Sequence, residues 1–241
     1  MTAEQPTLIE APSNASIAVI AAHPDDMEFW CAGTVMRAIA QGCDARLLLV
    51  TSGDKGSGDP LTDARELAVR REREALDAGE IIGLSDVQFL RHLDGEIDNT
   101  LQLRREITTF LRRWQPEFVF TFDPVHPLPV YTSHRDHRTV GRATLDCIFP
   151  IARDPLNFPE LLAEGIEPHK VAEAWLFASG VANRYVDIAA TLDRKTAARI
   201  AHASQTSDPA VLPENWRRRA AAIGEPIGLN AAEAFTIVTL R

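Results

Sequence analysis

Four short apolar segments, each separated from the next by a loop and usually by an amphipathic stretch of helical length, constrain the fold most strongly. They cover residues 16–22, 45–51, 87–90 and 118–122. Segments this short and this uniformly apolar are typical of strands buried on both faces. The alternation predicts an α/β fold, with three Rossmann-like layers in which helices cover both faces of a mostly parallel sheet.

Helices are predicted between these strands from their apolar periodicity and their stop residues. The predicted helices cover 28–41, 62–82 and 100–114, and Gly42, Gly83 and Pro116 follow their respective ends. Beyond residue 150 the pattern weakens. There we expect strands over 174–178, 185–188 and 235–240, and a helix over 194–203.

The bulk properties limit the class of protein. The chain has 241 residues and a formal net charge of −9. Its length predicts a single domain over 1–241, with 1–15 as a flexible N-terminal extension. The acidic balance argues against nucleic acid or an anionic membrane as the main partner. Because neither a signal sequence nor a membrane-length apolar run is visible, we expect a cytoplasmic protein. A homo-oligomer is left open.

A polar cluster directly follows the first predicted strand. It contains His23, Asp25 and Asp26. Two adjacent carboxylates repel each other, and burying them costs several kcal/mol unless a positive charge compensates. One interpretation is a metal cation bound here. The alternative is that the aspartates only cap the next helix.

A second cluster has the sequence SHRDH over residues 133–137. With Ser133 as N-cap, His134, Asp136 and His137 would all lie in the first turn of a helix. Both clusters follow apolar strands, so right-handed crossovers should place them at the same edge of the sheet, where ligands of such sheets bind. Histidines with carboxylates suit zinc, with a position left open for water. The alternative for HRDH is a solvated helix start.

Two charged residues interrupt the apolar stripe of the long predicted helix over 62–82. These are Arg71 and Glu74. Either they form a buried ion pair with each other, or the arginine reaches the pocket. The sequence leaves both interpretations open.

The two clusters resemble a known family. AHPDDMEFWCAGT at 22–34 is similar to the A-H-P-D-D-x-E…G-T signature of the LmbE-like (PIG-L) zinc-dependent N-deacetylases, and HRDH matches their H-x-D-H motif. Further stretches, including VTSGDKGSG, LRHLDGEI and HASQ, extend the resemblance over most of 17–205.

The resemblance implies roles for individual residues. His23, Asp26 and His137 would bind one zinc ion, or another divalent metal, per chain. Asp25 would be the general base, and His134 would stabilise or protonate the reacting group. Asp136 would orient a histidine.

Substrate contacts implied by the resemblance are Arg71 and Asp94. The chain also departs from the family pattern. Met27 occupies a position that is often acidic, and Trp30 and Ala32 occupy positions that are often glycine. Trp30 is therefore expected to reshape the pocket. Other aromatic residues considered for a sugar-stacking rim are Tyr131, Phe158 and Trp216.

The expected function is hydrolysis of an N-acetyl, or related N-acyl, group on a small amino-sugar conjugate. Open alternatives are a non-catalytic metal-containing binding protein and an amidase acting on a non-sugar amide. A nucleotide-binding enzyme is disfavoured. The first strand leads to HPDD instead of G-x-G-x-x-G, and SGDKGSG lacks the G-K-[ST] of a P-loop.

Overall fold

Eight strands form one sheet in the computed structural model, which describes residues 5–128 and 134–240. The strands are β1 (Thr7–Leu8), β2 (Ser16–Ala21), β3 (Asp44–Thr51), β4 (Asp86–His92), β5 (Phe118–Phe122), β6 (Glu173–Phe177), β7 (Arg184–Asp187) and β8 (Ala232–Thr239). Their order across the sheet is β1-β7-β8-β6-β5-β2-β3-β4.

The sheet is parallel except at β8. Strand β2 lies between β3 and β5, with Val19 opposite Leu47 on one side and Phe120 on the other. Strand β8 runs antiparallel to both β6 and β7. The predicted mostly parallel α/β architecture is confirmed.

Eight α-helices cover the two faces of the sheet in the described part of the chain. They are α1 (Asp26–Trp30), α2 (Ala32–Ala40), α3 (Ala64–Ile82), α4 (Leu101–Trp114), α5 (Arg135–Ile148), α6 (Pro159–Ala163), α7 (Leu192–Ala201) and α8 (Leu212–Gly224). Helices α4 and α5 pack together, whereas α1, α2, α3 and α8 all contact α7.

The single helix predicted over 28–41 is wrong. Helix α1 ends before Cys31, whose φ of −143° and ψ of 0° break the helical path, and α2 begins at Ala32. The Glu233 carboxylate, on distant β8, accepts hydrogen bonds from the backbone N–H groups of Gly33 (2.9 Å) and Thr34 (2.7 Å). This tertiary cap satisfies orphan donors of α2, so a second helix can start there.

Three further elements were not predicted. Strand β1 lies within the expected N-terminal extension, and Thr7–Leu8 pair with Arg184–Tyr185 of β7. Helices α6 and α8 are the other two. The expected end of the long helix at Gly83 is confirmed, since Gly83 has a φ of 94° and caps α3.

The strand ends and one helix start bring the two predicted clusters together. His23 follows β2, Asp94 follows β4, and His134 is the N-cap residue of α5. Ser133, the predicted N-cap, lies outside the described residues. The cap position belongs instead to His134, whose Nδ1 accepts the Asp136 backbone N–H (3.2 Å).

In residues 5–128 and 134–240, no helix combines the length and apolarity needed to cross a bilayer.

Helix α5 approaches the sheet closely at Gly141, and this close approach yields a stability prediction. A Cβ atom there would lie 2.4 Å from the backbone oxygen of Phe122, so helix and strand would have to separate. We expect Gly141→Ala to lower the free energy of unfolding by about 2 kcal/mol in urea denaturation. The matched control is Gly58→Ala, where a Cβ meets nothing within 4 Å. Equal stability of the two variants would contradict the close packing.

Candidate active site

The two predicted clusters line one pocket of about 480 Å³. Its lining side chains come from α1, α3, α8, the N-terminal end of α5, the turn that follows α7 and the loops at the carboxyl edge of the sheet. They are His23, Asp25, Asp26, Phe29, Trp30, Arg71, Asp94, His134, His137, Gln205 and Arg219. Seven of the eight predicted site residues are among them, and the eighth, Asp136, is fully buried beside His23.

Asp26 joins the two clusters. One carboxylate oxygen, Oδ2, accepts the backbone N–H groups of Ala22 (3.1 Å) and His23 (2.7 Å). The other, Oδ1, lies 3.0 Å from Nε2 of His137 on α5. The Nδ1 atom of His23 lies 3.5 Å from Oδ2. Imidazole nitrogens of both histidines thus flank a single buried carboxylate.

His23 is held from its other side by two carboxylates. Its Nε2 lies 3.1 Å from Oδ1 of Asp94 and 3.3 Å from Oδ2 of Asp136. The Gly95 backbone N–H fixes Asp136 in turn, at 2.7 Å. Burial alone lowers the pKa of His23, but its contacts with Asp136, Asp26 and Asp94 raise it well above the ordinary value. Asp136 therefore contacts His23 from a fully buried position.

The α5 histidines complete the cluster. The ring of His137 stacks on Phe122 with centroids 4.0 Å apart, and its Nδ1 is buried without a hydrogen-bond partner. The ring of His134 meets His23 edge-on at 4.8 Å. Desolvation, followed by the positive charges of His23 and His137, lowers the pKa of His134.

The donor atoms suit a divalent metal. Two groups have possible ligand atoms within 4.8 Å of one another, namely His23 with His134 and His137, and His23 with Asp94 and Asp136. The set implied by the resemblance, His23, Asp26 and His137, is a different combination, in which the two imidazole nitrogens lie 3.5 and 3.0 Å from different oxygens of Asp26. Nitrogen and carboxylate ligands, with carboxylates behind one histidine, are the chemistry that zinc uses in proteins.

Asp25 sits at the N-cap of α1 in a strained backbone conformation, with a φ of 96°. Its two carboxylate oxygens face two arginines, with Oδ1 3.6 Å from Arg71 Nη2 and Oδ2 3.4 Å from Arg199 Nη2. Burial first, and the charge of Asp26 second, raise the pKa of Asp25 to about 6, while the arginines oppose the shift. Sequence reasoning missed Arg199, because no local pattern marks it and only the packing of α7 on α1 places it here.

Arg71 reaches the pocket and does not pair with Glu74. Its guanidinium donates to the carbonyl oxygens of Gly53 (3.0 Å) and Pro24 (2.7 Å). Glu74 instead binds Arg70 and Ser204. Of the two interpretations left open by the sequence, the structure places the arginine at the pocket.

The aromatic residues considered for a sugar-stacking rim differ in whether they line the pocket. Trp30 lines the pocket, together with Phe29, which was not predicted. Trp216 is buried against Phe29 at 5.3 Å, and Phe158 is not part of the pocket lining. Tyr131 lies outside the described residues.

With this geometry in hand, comparison with known proteins decides the family. A family sequence model described as "PIG-L: GlcNAc-PI de-N-acetylase" matches residues 18–148, more than half of the chain. The chain belongs to the PIG-L family. The resemblance drawn from the HPDD and HRDH motifs is therefore confirmed.

Individual PIG-L relatives are deacetylases by name. The chain is 32% identical over 183 residues to a diacetylchitobiose deacetylase of Thermococcus kodakarensis, covering 76% of this chain and 67% of that protein. It is 28% identical over 140 residues to a "Probable N-acetyl-alpha-D-glucosaminyl L-malate deacetylase 2" of Bacillus anthracis, covering 56% of this chain and 60% of the relative. Among solved structures, the N,N'-diacetylchitobiose deacetylase of Pyrococcus horikoshii superimposes with a TM-score of 0.86 at 28% identity, covering 93% and 84% of the two chains.

A buried ion pair under the pocket yields a prediction about pH. Nε2 of His202 lies 3.2 Å from Oε1 of Glu28, and both side chains are almost completely buried. Burial alone lowers the pKa of His202, but the Glu28 and Asp25 carboxylates raise it above its ordinary value. A raised folded-state pKa stabilises the protein fully below the unfolded-state pKa of about 6.5, and this contribution disappears as the pH rises through the folded-state value.

We therefore expect His202→Gln to be destabilised more at about pH 6 than at about pH 9. Urea unfolding of the variant and the wild type at both pH values measures this difference. In a Glu28→Gln background the pH dependence of the His202→Gln effect should largely disappear. If the variant's loss in free energy of unfolding is the same at both pH values, His202 contributes only by packing.

Proposed function

We propose that this PIG-L protein is a zinc-dependent hydrolase that removes an N-acetyl, or related N-acyl, group from a small amino-sugar conjugate in the cytoplasm. The observation that carries the proposal is that two adjacent aspartates have different partners. Asp26 joins His23 and His137, whereas Asp25 faces the pocket between two arginines. The deacetylase names of the relatives support the same reaction class.

In this proposal His23, Asp26 and His137 hold the zinc ion. When bound there, zinc supplies a Lewis acid that polarises the amide carbonyl and makes a water molecule more acidic. The backbone N–H bonds to Oδ2 of Asp26 leave Oδ1 directed at His137, and Asp136 holds the His23 ring from behind. These contacts keep the ligands in place before the metal binds.

Asp25 is the proposed general base. Its carboxylate accepts the proton of the attacking water, and Arg71 and Arg199 hold that carboxylate toward the pocket. Once protonated, the same carboxyl group can donate that proton to the departing amine.

His134 is the proposed hydrogen-bond donor to the oxygen of the reacting amide. Its Nδ1 accepts the Asp136 backbone N–H, so in the neutral ring the proton resides on Nε2. The lowered pKa of His134 disfavours the protonated ring, and this favours a role as hydrogen-bond donor over a role as proton source. Donors of this kind are worth about 3–4 kcal/mol in the transition state. Asp94 and Arg71 are proposed to contact the sugar.

A non-catalytic metal-containing protein is the competing function. A structural zinc site is usually closed by four protein ligands and needs no ionisable base beside them in a strained backbone conformation. The left-handed Asp25, aimed at the pocket between arginines, therefore favours catalysis. An amidase for a non-sugar substrate would share this chemistry and differ only in the pocket wall.

Metal content tests the proposed zinc site. Purified protein should contain about one zinc ion per chain by elemental analysis, and His137→Ala should lose it together with activity. The control is His126→Ala, an exposed histidine outside the pocket lining, which should keep the metal. Wild-type protein that takes up no zinc would remove the metal centre from the proposal.

Substitution of Asp25 tests whether this residue acts as the base and not as a metal ligand. Asp25→Ala should retain zinc but release amine from N-acetyl sugars at least about 100-fold more slowly. Far-ultraviolet circular dichroism and elemental analysis of the same sample establish that the fold and the metal are intact. Full turnover in this variant would exclude Asp25 as the base.

A further inference from the structure

The pocket wall contains an arginine that packs on aromatic rings. Arg219 extends from α8, and its guanidinium carbon lies 4.7 Å from the ring centroid of Trp30 and 5.8 Å from that of Phe29. Across residues 5–128 and 134–240, Arg219 makes neither an ion pair nor a side-chain hydrogen bond, and its Nε is buried without a partner.

The two arginines that flank Asp25 already have hydrogen-bond and ion-pair partners. Arg71 binds two backbone carbonyls and Asp25. Arg199 binds Asp25, the Thr206 hydroxyl and the carbonyl oxygen of Gln205. Arg219 therefore differs from both in having free hydrogen-bond donors at the pocket surface.

The carboxylate that interacts electrostatically with Arg219 is also engaged. Burial lowers the pKa of Arg219, and the charge of Glu233 opposes this shift. Glu233 lies 2.6 Å from Nζ of Lys195 and accepts the backbone N–H groups of Gly33 and Thr34. Its charge is thus already neutralised by a closer cation. A half-buried guanidinium without a counter-ion carries a desolvation cost that a bound anion would offset.

We propose that Arg219, stacked on Trp30, binds an anionic group, a carboxylate or a phosphate, carried by the N-acetylated substrate. This inference rests on the proposed deacetylase function and adds the charge of the substrate to it. A guanidinium presents parallel donors that match the two oxygens of such a group. The indole face restrains the guanidinium and so reduces the entropy lost on binding.

Trp30 is the residue that makes this arrangement possible. Its ring centroid lies 4.7 Å from the guanidinium carbon of Arg219, and this contact holds the arginine at the pocket wall. The net charge of −9 describes the whole surface, whereas the anion specificity is set by this one wall of the pocket.

The test uses two compounds that differ in charge at a single group. One is a β-glycoside of N-acetylglucosamine whose aglycone ends in a carboxylate, and the other is its methyl ester. With zinc-loaded wild-type enzyme, KM for the acid should be lower than KM for the ester by about tenfold or more. Arg219→Gln should bring the KM ratio close to one, and Arg219→Lys should restore part of the preference.

The matched control is Arg218→Gln. Arg218 lies on the same helix, its side chain is 70% exposed and its guanidinium contacts Glu214, so its removal should leave the KM ratio unchanged. Because acid and ester are compared within one preparation, partial unfolding of a variant would affect both substrates equally.

Binding measurements distinguish this inference from the proposed function. Both compounds are titrated calorimetrically into Asp25→Ala protein, with and without Arg219→Gln. If the wild type turns over neither compound but the acid binds more tightly in an Arg219-dependent manner, the deacetylase proposal fails and the anion site stands. If the wild type turns over both compounds and the acid gains no advantage over the ester, the anion site is wrong. If the acid is preferred over the ester neither in KM nor in binding affinity, the proposed anion site at Arg219 is wrong.

Discussion

The buried carboxylate of Asp26 is the interaction on which the site depends. One oxygen is held by backbone N–H groups at the end of β2, and the other reaches His137 on α5, more than 100 residues away in the chain. Burial of a carboxylate is costly without such partners. The histidines compensate for the burial and hold the pKa of Asp26 well below its usual range. The same contacts place the loop after β2 and the start of α5 against each other, and the pocket opens at this junction.

A second set of charges surrounds the first. Arg71 and Arg199 flank Asp25, and the Glu28–His202 pair lies buried nearby. Helix α7 and the turn that follows it supply Arg199 and His202, and this helix packs on both α1 and α3. Adjacent aspartates can therefore differ in role, because one is surrounded by imidazoles and the other by guanidinium groups.

Much of the fold and of the site was predictable from the sequence. The strand at 118–122 and the helix stop at Gly83 follow from local periodicity and turn chemistry, and the meeting of HPDD with HRDH follows from the parallel-sheet topology. The break at Cys31 was not predictable, because the cap on α2 comes from Glu233 on β8. Arg199 and Arg219 were missed for the same reason, since nothing near them in the chain distinguishes them from surface arginines on a helix.

The sequence by itself determined the fold class, and it predicted that the HPDD and HRDH clusters meet at one edge of the sheet, because residues that directly follow parallel strands share that edge. Only the tertiary structure decided the charges that complete the site. Long-range packing brought Arg199 to Asp25, directed Arg71 to the pocket instead of Glu74, and placed Arg219 on Trp30. Electrostatic partners depend on distance in space and not on distance along the chain, so these pairings became visible only in the folded protein.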